Sequence, residues 1–235
     1  MMKFIKNIIL LVFNLIDHYY HQKKIASFLI KKKLTVNIFF DIGSHMGTYT
    51  DFINRIYPNS RSFLFEPQSK IFIKIAEKYF KKDNIQVFNL AVSDIEKKQK
   101  LYLNMHDLTS TLSDFNEQSS YLSLKAKLYG TDIKNMSHGT ELVQTITLKK
   151  FIIENNLNKI DLIKIDTEGH EFNVLKGLGE KIDIINNVLI EFHHRKLFLG
   201  YEPNEIHEFL IHNGFRLIKT FKFPFCWADR FYSRI

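Results

Sequence analysis

The chain has 235 residues, 45% of them hydrophobic and 25% charged, a composition that supports one buried core and excludes a disordered or fibrous protein. Cys226 is the only cysteine, which rules out an intrachain disulfide framework and a thiolate zinc site and agrees with a reducing cytosol. The net charge of +8 is spread over short lysine clusters with acids between them, the pattern of a solvated basic surface, and it also admits an anionic partner such as nucleic acid, a phosphorylated glycan or a lipid headgroup.

The chain opens with an apolar run at 8–13 that follows Lys3 and Lys6. The run is shorter than the ~20 residues a bilayer requires, and no small-residue cleavage site follows it. The pattern predicts a leading helix over 3–33 within an N-terminal extension, 1–35, that covers one face or edge of the domain. Phe4, Ile8, Leu11 and Leu15 would also let it lie on a membrane surface, so the expected location is cytoplasmic, with peripheral contact at the inner face of a membrane as an option.

From 36 to 235 short apolar runs alternate with amphipathic stretches, which predicts one α/β domain, doubly wound around a parallel sheet. Strands are expected at 37–41, 62–66 and 85–90, with helices at 47–57 and 69–80 between them. Segments 100–104 and 142–146 alternate like further strands. The polar insertion between them, about 105–140, is long enough to be a lid or binding element. A helix at 148–155, a strand at 161–166 and a helix at 168–176 follow, the last ending near Gly177 and Gly179. The closing elements are a strand at 187–192, a helix at 204–212, and strands at 215–219 and 230–233.

Ligands of doubly wound sheets bind beyond the carboxyl ends of the strands, where the strand order reverses. The string Asp41-Ile42-Gly43-Ser44-His45-Met46-Gly47 occupies such an end. Gly43 permits a tight turn and close backbone approach, Gly47 lets the next helix begin near the sheet, and Asp41 can accept hydrogen bonds from a ligand. The G-x-x-x-G spacing departs from the dinucleotide fingerprint, which argues against an NAD enzyme. Glu66, in Phe65-Glu66-Pro67 at the next strand end, is spaced to bind a ribose diol. Ala91, Ser93 and Asp94 stand where backbone and side-chain groups can meet an adenine.

The string Lys164-Ile165-Asp166-Thr167-Glu168-Gly169-His170-Glu171 places two acids and a histidine at the mouth of a buried strand. Asp166 is the first candidate for the base that takes a proton from an attacking alcohol, with His170 or His193 second. The competing reading is that Asp166 or Thr167 caps the following helix and that Glu168 and Glu171 favour its first turn. Lys164 and Glu191 each interrupt a buried strand and are expected to pair across the sheet. No metal site is expected, because His193 and His194 are adjacent on a strand and point to opposite faces.

In that order and spacing, the glycine loop through Thr50, Phe65-Glu66-Pro67, Ala91-Val92-Ser93-Asp94, the 163–171 string with Leu175-Lys176-Gly177, and Ile190-Glu191-Phe192-His193 resemble the FkbM methyltransferases over about 37–194. The resemblance implies a Rossmann-like, seven-stranded methyltransferase sheet, S-adenosylmethionine as cofactor, and O-methylation of a hydroxyl on a sugar or natural product. It implies that Asp41 and Gly43 meet the methionine end of the donor, that Glu66 meets its ribose, and that Thr109-Ser110-Thr111-Leu112 lies near donor and acceptor. Ser110, Thr111 and Glu168 are therefore the candidate acceptor contacts, and Asp166 serves both ligands. Lys149 stands where family members often carry an aspartate, and no role is carried to it. The expected partner is a small-molecule or glycan acceptor. Nucleic acid is not expected, since there is no basic stripe interleaved with aromatics and no acidic-or-Asn-Pro-Pro-aromatic motif. The alternatives are an RNA methyltransferase and a silent donor-binding protein.

Overall fold

The computed structural model describes residues 21–104, 110–119, 122–123, 126, 132, 137–193, 197–222 and 227–235. Most of the expected leading helix, with Phe4, Ile8, Leu11 and Leu15, lies outside the described residues, as do Thr109, His194 and Cys226. In chain order the elements are α1 Gln22–Lys31, β1 Ile38–Ile42, α2 Thr48–Ile56, β2 Arg61–Phe65, α3 Ser69–Tyr79, β3 Ile85–Phe88, β4 Ala91–Val92, β5 Lys98–Asn104, β6 Ser137–Ile146, α4 Leu148–Glu154, β7 Leu162–Ile165, α5 Glu171–Lys176, a 3-10 turn Gly179–Ile184, β8 Asn187–His193, α6 Pro203–His212, β9 Phe215–Lys222 and β10 Trp227–Arg234.

Seven strands form one sheet in the order β3-β2-β1-β7-β8-β10-β9. The five from β3 to β8 are parallel, and β10 joins β8 and β9 antiparallel. Near-continuous apolar runs such as Ile38-Phe39-Phe40 and Leu162-Ile163 are what strands covered on both faces require. The chain winds outward from β1 through β2 to β3, then returns to β7 on the other side of β1, so the order reverses between β1 and β7.

The two faces follow the strand period of two. On one, Phe39, Leu162, Leu189 and Phe231 pack against Ile25 and Leu29 of α1 and Ile53 of α2. On the other, Phe40, Ile163, Val188 and Ile190 pack against Phe151 of α4, Val174 of α5 and Ile206 of α6. Phe151 meets Phe40, Phe63, Phe65 and Phe88 with ring centroids 4.9–5.7 Å apart. The described part of the leading helix thus covers one face of the sheet.

Two differences from the sequence reading bear on the site. β5 and β6 leave the main sheet and form a second one, β4-β6-β5, with the polar insertion between them. The helix expected from 168 starts at Glu171, because Glu168 (φ 52) and Gly169 (φ 95) hold left-handed conformations that a right-handed helix cannot include. Its N-cap residue is His170 and no side chain caps it, so neither Asp166 nor Thr167 does so.

Near the carboxyl ends, the first face of the sheet changes from apolar to charged. Asp41 of β1 stands opposite Lys164 of β7, and Glu191 of β8 stands opposite Asp229 of β10.

Candidate active site

A cavity of about 320 Å³ opens at this reversal of strand order, within the size range of ligand sites. Its walls come from Gly43, Ser44 and His45 after β1, Glu66 after β2, Leu90, Ala91 and Val92, and Leu101 of β5. Ser110, Thr111 and Leu112 of the insertion close one side. Lys164, Asp166, Thr167, Glu168 and His170 of the β7–α5 connection, with Glu191 of β8, close another.

The β1–α2 loop is held by its neighbours. The Gly43 and Ser44 amides both donate to the Phe65 carbonyl at 3.1 Å. Gly43 has φ 75, and a Cβ there would lie 1.8 Å from the Asp166 backbone oxygen, so only glycine lets the ends of β1 and β7 approach this closely. Glu66 is buried, with its two oxygens accepting from the His45 and Gln68 amides, each at 2.9 Å. Burial pushes its carboxyl up to about 7 against the pull of those amides. The Ser44 hydroxyl, at the loop's cavity wall, is buried with no hydrogen bond among the described residues. These groups fit S-adenosylmethionine: the Glu66 carboxylate suits a ribose diol, the apolar Leu90, Ala91, Val92 and Leu101 suit an adenine, and the Ser44 hydroxyl is available to a polar donor group.

Several residues expected at the donor do not line this cavity. Asp41 is 0% exposed and does not line the cavity. Its Oδ2 accepts from the Thr50 hydroxyl at 2.7 Å, and its Oδ1 lies 3.8 Å from the Lys164 ammonium. Burial pushes this carboxyl up, and Lys164 opposes it. Gly47 is also off the cavity; a Cβ there would lie 2.5 Å from the Tyr79 hydroxyl of α3. Ala91 lines the wall, whereas Ser93 and Asp94 turn toward α5. Ser93 Oγ hydrogen-bonds His170 Nε2 at 2.9 Å, and Asp94 accepts from Asn173 and pairs with Lys176 at 3.4 Å.

On the opposite wall, Lys164 Nζ donates to Asp166 Oδ2 at 3.0 Å. Burial pushes the Asp166 carboxyl up, but the Lys164 ammonium and a hydrogen bond from Glu191 outweigh it, and the group stays below the usual carboxylate range. The expected pair of Lys164 with Glu191 is corrected: Lys164 is held by Asp166 and Asp41, the residue directly opposite it in register. Its neighbour on β8 is Leu189, which leaves Glu191 one pleat further on. Glu191 instead meets Asp166, Glu168 and His193; burial and the adjacent carboxylates push its carboxyl well up, and it shares a hydrogen bond with Asp166.

The other candidates are placed by a network around the β7–α5 turn. Thr111 Oγ1 donates to the Glu168 carbonyl at 2.6 Å, and Ser110 Oγ to Gln68 Oε1 at 3.3 Å. Glu171, fully buried, accepts from the Thr167 and Gly169 amides, which makes it a brace for the turn. His170 has Ser93 on Nε2 and Ser113 on Nδ1, and burial pushes its imidazole down to about 4. It is therefore neutral at pH 7, and the two serine hydroxyls already occupy both of its ring nitrogens. His193 Nε2 lies 3.9 Å from Glu168 and 3.7 Å from Glu191, and its backbone amide donates to the Tyr201 hydroxyl at 3.1 Å.

Sequence reasoning missed Gln22, Tyr49, Trp227 and Asp229, all on the cavity wall. His21 Nε2 lies 2.7 Å from Asp229 Oδ2, which the Tyr49 hydroxyl also reaches at 3.3 Å, so α1 and β10 close the site together. The available signal was Asp229 just before an apolar alternation; β10 begins at Trp227 rather than 230, which brings Asp229 into the sheet.

The family model described as the methyltransferase FkbM domain matches residues 41–217. The hexuronic acid methyltransferase AglP of Haloferax volcanii is 23% identical over 80% of this chain and 67% of its own length. Methyltransferase 1 of Beauveria bassiana is 27% identical over 64% of this chain and 62% of its own length. The chain thus spans about two thirds or less of these relatives. A Clostridium thermocellum structure, provisionally described as an rRNA methylase, superposes with a TM-score of 0.51 at 11% identity, covering 91% of this chain and 96% of that one, and shows the shared fold.

Proposed function

Because the chain belongs to the FkbM family of S-adenosylmethionine-dependent methyltransferases, we propose that it transfers the methyl group to a hydroxyl oxygen of a saccharide, glycoconjugate or natural product. The observation that carries this reading is the Asp166 carboxylate, which Lys164 keeps ionised on the wall that meets the donor loop at Gly43.

S-adenosylmethionine supplies an electrophilic methyl group. Glu66, Ser44 and the apolar wall at Leu90–Val92 would hold it. An alcohol oxygen attacks well only if its proton can leave as the new bond forms, and Asp166 accepts that proton. Lys164 holds the carboxylate in place, and Asp41 anchors Lys164 from beneath. Thr111 positions Glu168 through its backbone, while Ser110 and Glu168 face the acceptor.

The acceptor side of the cavity carries Asp166, Glu168, Glu191 and Asp229. Carboxyl groups hydrogen-bond sugar hydroxyls, which favours a polyhydroxy acceptor. The name of the Haloferax relative points to the same acceptor class. In this reading 36–235 is one methyltransferase domain, and the extension before it closes the site through α1. Among the described residues no helix is long and apolar enough to cross a membrane.

The test is incubation with methyl-labelled donor and a panel of free sugars, hexuronic acids, glycolipids and RNA, read by mass spectrometry. Label on a saccharide hydroxyl is expected. Label confined to RNA, or on a nitrogen, contradicts the reading.

A further inference from the structure

Beside Asp166 the site holds more ligating groups than proton transfer to one carboxylate uses. Glu191 and His193, two residues apart on β8, share a face of the sheet, and Glu168 reaches them from the β7–α5 turn. The ligating atoms of the three residues all lie within 4.8 Å of one another. We propose that Glu168, Glu191 and His193 form a divalent-cation site in the wall of the methyl-transfer cavity. The expectation of no metal rested on two adjacent histidines facing opposite ways. Alternate positions 191 and 193 avoid that objection.

The donor set and its spacing both fit. Two carboxylates and an imidazole suit Mn²⁺, Fe²⁺ or Zn²⁺. Neighbouring ligand atoms around a cation bound at about 2.1 Å stand roughly 3–3.5 Å apart. The observed 3.7 Å from His193 to Glu191 and 3.9 Å from His193 to Glu168 close to that spacing with shifts of a few tenths of an ångström, and the Glu168–Glu191 pair, within 4.8 Å, with a shift of at most about 1.3 Å.

A second observation points the same way. Glu191 is 8% exposed, and its Oε2, 3.7 Å from His193 Nε2, is buried with no hydrogen bond among the described residues. A buried carboxyl oxygen in that state loses the interactions water would give it, and a cation restores them. Charge adds to this: Asp41, Asp166 and Asp229 all act on the single ammonium of Lys164, while Glu168 and Glu191 crowd the same corner. Glu168 also holds an uncommon left-handed conformation (φ 52), which Thr111 and Glu171 stabilise on either side.

Glu168 and Glu191 line the cavity, so the remaining coordination positions face the acceptor. There a cation could chelate two neighbouring hydroxyls of a saccharide and make the one that attacks more acidic. That use rests on the O-methylation reading, whereas the cation site itself does not.

The test uses the full chain, stripped with chelator and titrated with Mn²⁺ and then Zn²⁺ by calorimetry, without donor or acceptor. One ion per chain is expected, with at least about tenfold weaker binding in Glu191→Gln and in Glu168→Gln. Glutamine preserves the shape of the glutamate side chain, and circular dichroism verifies that both variants fold. Failure of both metals to bind, or equal binding by the folded variants, overturns the proposal. A protein that binds the ion and methylates no hydroxyl keeps the site and loses only its proposed use.

Discussion

Gly43 and Asp166 meet backbone to backbone: a Cβ on Gly43 would stand 1.8 Å from the Asp166 carbonyl oxygen. The loop expected to hold the donor and the residue expected to serve the acceptor are thereby fixed to each other across the reversal of strand order. Gly43→Ala must strain a backbone at φ 75 and also push β7 away. We expect it to cost more than about 2 kcal/mol in urea denaturation and to weaken donor binding. Gly200→Ala is the control, with a similar φ of 70 and no atom within 4 Å of its added Cβ. It should cost only the backbone strain, about 1 kcal/mol. Equal losses for the two variants would show that the Gly43 contact is not tight.

Lys164 and Glu191 should respond differently to neutral replacement. Lys164→Met removes the cation shared by Asp41 and Asp166, and breaking a buried pair in this way costs about 3–5 kcal/mol. Glu191→Gln exchanges a carboxyl whose ionisation burial and the adjacent carboxylates oppose for an amide of the same shape, and should stay within about 1 kcal/mol in chelator-treated protein. Denaturation of both variants at pH 7 checks this, and losses of similar size would restore the Lys164–Glu191 pair.

Two buried groups tilt stability with pH in opposite directions. The Glu66 carboxyl lies near 7 in the folded chain and at 4.5 in the reference state, so between these values the native state holds the extra proton. Its contribution is complete below pH 4.5 and is lost as pH rises through 7. The His170 imidazole lies near 4 against 6.5, so its contribution is complete above 6.5 and is lost as pH falls toward 4. Each swing is at most about 3.5 kcal/mol. Denaturation of Glu66→Gln from pH 4.5 to 7.5 should show a smaller decline than wild type, and His170→Gln should show a smaller loss on the acid side. Profiles parallel to wild type would contradict the shifts.

The parallel strands were legible because burial on both faces demands the apolar runs seen at Phe39-Phe40 and Ile163, and Gly43 and Glu66 were legible because the strand ends fix their spacing. Asp41 could be recognised as an acid in a buried strand, but not as the anchor beneath the cavity, which depends on its register with Lys164. α5 starts later than the pattern suggests because Glu168 and Gly169 hold left-handed conformations, which Glu171 braces locally and Thr111 supports from 57 residues away in the chain. Asp229 reaches the site only because β10 inserts between β8 and β9, a pairing that sequence order does not reveal.

The central claim is that Asp166 takes the acceptor's proton beside a donor site it does not itself create. Asp166→Asn measured for donor affinity and for methyl transfer to the saccharide acceptor tests this most directly. The account predicts donor affinity within about threefold of wild type and a turnover at least about 100-fold lower. Turnover within tenfold of wild type, or a fall in donor affinity as large as the fall in turnover, would contradict it.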